Sequence, residues 1–288
     1  MGPLLDPFLQ NEFLMRALVA GVLVSIACAV VGTFVVLRGL AFIGDALAHG
    51  VLPGIAAALL LGLPGILGAA AGALAMIGGV GFITRKSRLS SDTAIGLLFV
   101  AMLALGVVIV SRSSSFAGDL IGILFGQILG TSLENVAIQA VATAVVVITA
   151  VVCARPFLLL SFDPEQADVA GFPSRRYHAI MLVLIALTVI VSFQTVGTLL
   201  VFGMLLAPAG AGALLAHRVP VMMAIGALIG AASSYLGLLL SYSFDVAAGA
   251  TMVLVATGFF FVVLAATNIR DRLTAGAREP DAPASGPS

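Results

Sequence analysis

Apolar runs long enough to cross a bilayer follow one another along nearly the whole chain, separated by short polar stretches. A membrane-spanning helix needs about 20 apolar residues at its rise of about 1.5 Å per residue. In lipid only helices and closed barrels satisfy every backbone N–H and C=O. The runs here are continuous rather than alternating at period two, which selects helices over a barrel. Charged residues make up 9% of the chain and hydrophobic ones 61%, whereas a soluble domain carries about 25% charged residues. The expected fold is an all-α integral membrane protein, a polytopic bundle of about nine helices (8–10).

A mixed lead over residues 1–12 precedes a transmembrane domain over 13–268 and a polar tail over 269–288 that is expected to be disordered beyond about 275. The expected spans are 13–37, 41–61, 66–84, 93–110, 136–153, 177–193, 197–216, 219–240 and 246–267. Gly62-Leu63-Pro64-Gly65 reads as a tight turn. Residues 111–134 are more polar, and their apolar middle, 120–129, is too short to cross; it reads as an interfacial or re-entrant helix. Residues 154–176 read as a hydrophilic loop, the longest soluble connection. With the N-terminus outside, the inner segments hold Arg38, Arg85, Lys86, Arg88, Arg155, Arg175, Arg176, Arg218, Arg270, Arg272 and Arg278, while Arg16 and Arg112 stand outside. Excess cytoplasmic Lys and Arg therefore set the N-terminus outside and the C-terminus in the cytoplasm.

Several function classes fall away. Thirteen basic and thirteen acidic residues balance to zero net charge, so no basic surface suggests nucleic acid. Cys28 and Cys153 lie in apolar runs and read as small buried hydrophobes rather than a disulfide or a metal cluster. The N-terminus lacks the basic region and cleavage site of a signal peptide. Lys86 is the only lysine and no GxxxxGK[ST] surrounds it. ATP-driven work would need an ATPase on a separate chain.

One segment carries chemistry. Arg38 to Gly54, RGLAFIGDALAHGVLPG, sets Asp45 and His49 four residues apart in an apolar run. On a helix that spacing puts both on one face, one turn apart. Ionisable groups in a membrane are costly and mark functional sites. Carboxylate and neutral imidazole are both metal ligands, but two ligands do not close a site. A twofold homodimer would supply two of each, four mixed N/O donors that suit Zn²⁺, while Mn²⁺ prefers more oxygens. Gly44, Gly50 and Gly54 allow close helix approach, and Pro53 can kink the segment just past the histidine. The plainer reading is that Asp45 and His49 neutralise each other as structural glue. The span boundaries put Asp45 about one turn from the cytoplasmic end.

The same segment, extended to RGLAFIGDALAHGVLPGIA, resembles the signature of the membrane permeases of bacterial ABC importers for zinc, manganese and iron, the ABC-3 family. SFDPEQADVAGF (161–172) is similar to that family's cytoplasmic coupling segment, VGTLLVFGMLLAPAGAGALLA (196–216) to its late span, and FDVAAGATMVLVA (244–256) to the start of its last span, where the family often has Pro at 247 or 248. The resemblance covers roughly residues 13–268. It implies a transport subunit rather than an enzyme, in the bacterial cytoplasmic (inner) membrane. It implies a permease homodimer docked on an ABC ATPase dimer and fed by an extracytoplasmic metal-binding protein. It also implies that Asp45 and His49 meet the transported divalent metal, with zinc permeases closest in look and manganese second.

The soluble segment also reads on local physics. Asp163 is a good N-cap, Pro164 fits the first helical position and Glu165 favours the positive helix end. Gly171 can end the helix in a left-handed conformation and Pro173 stops it. With Asp168, these residues of segment 161–173 are the expected coupling elements to the ATPase. Asp245 reads first as a solvated helix-start carboxylate, with guidance of cations second. Asp119 and Glu134 are candidates for binding-protein contact or plain solvated charges. His178 and His217, at span ends, read as structural. A proton-coupled secondary transporter would use Asp45 and His49 as a proton relay. An intramembrane hydrolase would need a nucleophile–base pair or a closed zinc site, and a structural subunit would need neither residue.

Overall fold

A computed structural model of the chain describes residue 8, residues 10–111 and residues 125–276. The described residues form helices joined by short turns, with no strand among them. In chain order they are α1 (Glu12–Leu37), α2 (Ala41–Gly50), α3 (Leu52–Leu60), α4 (Gly65–Lys86), α5 (Ser91–Val110), a 3-10 turn (Ile128–Gly130), α6 (Leu133–Val152), α7 (Ala154–Phe162), α8 (Pro164–Val169), α9 (Ser174–Val196), α10 (Thr198–Leu215), α11 (Val219–Phe244) and α12 (Ala248–Gly276).

Eight segments are long and apolar enough to span a membrane, with α2 and α3 counted as one. The seventh expected span, 197–216, is instead the shorter helix α10, which carries Pro208 inside it. Most of the expected re-entrant stretch 111–134, with Asp119, lies outside the described residues, as do residues 277–288 of the tail. Helix α12 runs beyond the expected boundary at 268, through Gly276.

Local signals set the helix ends. Ser90 caps α5 by accepting from the Thr93 N–H at 3.2 Å, and Ser132 caps α6 by accepting from the Asn135 N–H at 3.2 Å. Arg85 and Lys86 close the last turn of α4, where cations suit the helix dipole. Gly62 takes the left-handed φ of +70° that the turn before α4 requires. Asp245 corrects an expectation. It does not start a helix; it ends α11 with φ +54°, a left-handed conformation that Asp tolerates better than most residues.

Helix α1 is the most buried span and packs mainly against α10 and α11, whereas α5, α6 and α12 show most of their apolar surface to the outside. Water exclusion does not drive helices together inside lipid; close packing and interhelical hydrogen bonds do. The α1–α11 seam uses both. The Ser25 and Ser234 hydroxyls bond at 2.9 Å, and Gly230 sits where a Cβ would press on Ser25. The Thr143 hydroxyl of α6 donates to the Leu23 carbonyl of α1 at 3.2 Å.

The expected hydrophilic loop 154–176 is instead largely helical. Helix α7 buries Pro156, Phe157 and Leu160, and Phe157 stacks edge-on between Phe34 and Tyr177, at centroid distances of 5.1 and 6.4 Å. The apolar run Phe157-Leu158-Leu159-Leu160 is too short to span. It folds back onto the bundle end because α1 and α9 offer it aromatic partners.

Candidate functional site

Helix α2 begins after a tight corner. Gly39 turns with φ +64°, Leu40 bonds back to the Val35 carbonyl at 3.0 Å, and the chain re-enters the bundle at Ala41. Helix α2 is then surrounded by α4, α5, α9 and α10. Two glycines let it sit that close. A Cβ on Gly44 would come within 2.8 Å of Leu205 on α10, and one on Gly50 within 3.2 Å of Met76 on α4.

Asp45 and His49 stand on α2 one turn apart, as their spacing requires. Asp45 Oδ1 lies 3.4 Å from His49 Nε2. That is longer than a good hydrogen bond of about 2.7–3.2 Å. It matches the separation of two donors each about 2.1 Å from one cation in a tetrahedral array, about 3.4 Å. Cis ligands of an octahedral ion stand a few tenths of an ångström closer. The His49 ring is fixed from behind by the edge of Phe99 on α5, at a centroid distance of 5.4 Å. Its buried Nδ1 has no hydrogen-bond partner among the described residues. Nothing in the sequence singles out Phe99, which is one aromatic in an apolar run.

The helix is interrupted directly after the pair. Pro53 has no N–H to give to the His49 carbonyl, and α2 gives way to α3 at Val51. Beyond the break, Gly54 and Gly68 bring α3 and α4 together backbone to backbone, and Gly72 of α4 meets Gly50 and Val51.

The pair is not sealed within the chain. The Asp45 side chain keeps 30% of its surface exposed and that of His49 13%. Phe42, one turn earlier on the same face, is 74% exposed. The stripe Phe42, Asp45, His49 is thus where the chain's own helices stop. No cluster of three or more His, Cys, Asp or Glu side chains that could hold a metal occurs among the described residues. One copy offers one carboxylate and one imidazole here.

The remaining candidates separate from this site. His178 accepts a hydrogen bond on Nδ1 from Arg38 Nη1 at 2.9 Å, which ties α9 to the α1–α2 corner and leaves the ring proton on Nε2. Glu134 lies in the first turn of α6. The soluble segment folds as its local signals dictate. Asp163 caps α8 by accepting from the Glu165 and Gln166 N–H groups at 2.9 and 3.2 Å. Pro164 opens the helix, and Gly171 turns out of it with φ +85°. The Phe172 N–H reaches the Ala167 carbonyl and the Gly171 N–H that of Asp168, a full Schellman closure. Asp168 clamps the next element: its carboxylate accepts from the Ser174 N–H at 2.6 Å and Oγ–H at 2.9 Å. Those bonds, first of all the backbone one, hold the Asp168 carboxyl below the usual carboxylate range. The result is a rigid bracket with exposed Phe162 and Val169 at its rim.

Residues 10–267 match the family described as the ABC 3 transport family. The chain is 38% identical to the "Manganese transport system membrane protein MntC" of Listeria monocytogenes over 258 residues, 90% of this chain and 92% of that protein. It is 39% identical to the "Probable iron transport system membrane protein" of Haemophilus influenzae over 269 residues, 93% of this chain and 98% of that protein. Among solved structures, "PsaBC from Streptococcus pneumoniae in complex with Fab" superposes with a TM-score of 0.82 at 36% identity, covering 90% of this chain and 94% of that one.

Proposed function

This chain belongs to the ABC 3 transport family and is a multi-pass permease of an ABC metal importer, not an enzyme; we propose that its cargo is manganese. The proposed permease is a twofold homodimer that holds the metal between two copies of Asp45 and His49. The observation that carries this reading is the stripe of Asp45 and His49 on the uncovered face of α2, with two donors one cation's ligand span apart. An ionisable side chain left partly exposed within a membrane span is costly. A second copy apposed on that stripe removes the exposure and completes the ligand set.

Manganese takes first place over zinc because of the relatives. Of the two named above, one is named for manganese and the other for iron. Two carboxylates, each able to bind through both oxygens, raise the donor count from four towards the six that Mn²⁺ prefers. Zinc is the second reading, favoured by the four mixed N/O donors and the 3.4 Å spacing.

In this reading an extracytoplasmic binding protein delivers the ion to the outer mouth. Alternating access then moves exposure of the Asp45/His49 site to the cytoplasm. An ATPase on separate chains drives the switch through α8, where Asp163, Pro164, Glu165, Asp168 and Gly171 keep the bracket stiff enough to pass on a rigid-body motion. The basic end of the bundle faces the cytoplasm and the N-terminus lies outside. Binding at the pair must stay weak enough for release, as in any conduction path.

The test is uptake of radioactive manganese into vesicles holding the permease and its partner ATPase. The reading expects uptake that requires ATP and survives collapse of the proton gradient. Uptake without ATP that vanishes with the proton gradient would instead make the chain a secondary transporter.

A further inference from the structure

A second cavity lies at the basic end of the bundle; its lining includes neither Asp45 nor His49. A cavity of about 840 Å³ opens between the end of α4, the start of α9 and the α1–α2 corner. Arg38, Arg85, Lys86 and Arg175 line it, together with His178. Among the described residues no carboxylate lines it, and no ion pair ties any of those four cations. Asp168, whose charge Arg175 feels, already spends both carboxylate oxygens on Ser174. Arg38 is fixed in place by its bond to His178.

The opposite wall is apolar. Ile77 and Val80 of α4, Ile43 of α2 and Leu182 of α9 continue the cavity along the bundle, and Phe82 stands 64% exposed at its side. A pocket with fixed cations at the end of the spans and apolar walls running inward matches one amphipathic chemistry, a phosphodiester with acyl chains attached. Four cations gathered in one cavity disfavour a divalent metal there, which sets the cavity apart from the metal path. A free inorganic anion would use the cations but leave the apolar wall unfilled.

We propose that this cavity binds the headgroup of an anionic phospholipid, with Arg38, Arg85, Lys86 and Arg175 around the phosphate and an acyl chain along Ile77 and Leu182. Basic pockets between membrane helices take anionic headgroups on these terms. A bound lipid there wedges α4 against α9, two of the helices that surround α2. The proposal is independent of which ion moves and of the roles of Asp45 and His49.

The full-length chain in phosphatidylcholine vesicles, probed with spin-labelled phosphatidylglycerol and spin-labelled phosphatidylcholine, tests it. The motionally restricted fraction reports selectivity. The parent chain is expected to prefer phosphatidylglycerol, and Arg85→Gln/Lys86→Gln to lower that preference roughly tenfold. Arg175→Gln carries the same expectation, smaller, from a different helix, and serves if the double variant does not reconstitute. Arg88→Gln, at the same end of the bundle but outside the cavity, leaves the preference in place. Millimolar inorganic phosphate does not displace the lipid. No preference in the parent chain, an equal loss in Arg88→Gln, or displacement by phosphate overturns the proposal; the last result would make the cavity a soluble-anion site.

Discussion

Gly54 and Gly68 meet backbone to backbone: a Cβ on either would fall on the other's carbonyl oxygen. That contact sets α3 on α4 directly after the break that follows His49. Gly68→Leu is therefore expected to destabilise the chain by about 1–3 kcal/mol or more, the range for overpacking. Thermal unfolding in detergent checks it. Gly258→Ala, where a Cβ meets open space, is the control. It should be neutral or stabilising by up to about 1 kcal/mol, the helix-propensity gain over Gly.

The uncovered stripe on α2 predicts where two copies meet. In a chain with Cys28→Ala and Cys153→Ala, Asp45→Cys should join to itself through a short bifunctional thiol reagent, because in the proposed dimer the two residues would face one axis. Leu254→Cys, 72% exposed on α12, should give no such product. Electrophoresis reads both. A chain that cross-links at 254 and not at 45 places the interface elsewhere.

Gly171 holds φ +85° at the end of α8. A β-branched residue there costs about 1–2 kcal/mol of backbone strain. Gly171→Val is expected to loosen the bracket and lower ATP-driven uptake while manganese binding stays unchanged. Equal loss of binding and uptake would show that the segment acts on the site rather than on coupling. Binding and transport are measured on the same reconstituted sample.

Asp168 gives a pH dependence. Its carboxyl is held below the usual range by the Ser174 N–H and hydroxyl. A depressed folded pKa contributes stability above the unfolded carboxylate value, about 4, and loses it as pH falls through the folded value. The parent chain should thus unfold at a higher temperature than Asp168→Ala at neutral pH. That difference should shrink below pH about 4. A difference that is flat down to strongly acid pH contradicts the assignment.

What could be read from the sequence divides by range. The spans and the α8 bracket rest on local signals: apolar length, Asp163 before Pro164, Gly171 before Pro173. Asp45 and His49 share a face because a helix has 3.6 residues per turn. Long-range pairings had no such signal. Gly54 on Gly68, Phe99 on His49 and Arg38 on His178 join residues from different spans. The basic cavity draws on three stretches far apart in the chain, where each cation alone reads only as a mark of topology. Helix α7 was hidden for a related reason: its apolar run makes sense only beside Phe34 and Tyr177.

The central claim is that Asp45 and His49 meet the ion. The most direct measurement is manganese and zinc uptake by Asp45→Ala/His49→Ala in vesicles with the partner ATPase, beside the parent chain. Uptake of the transported ion should fall by at least roughly tenfold, the lower end of what losing even a supporting group around a metal costs. The variant should still assemble with the ATPase. Unchanged uptake of both ions by the assembled variant would contradict the account.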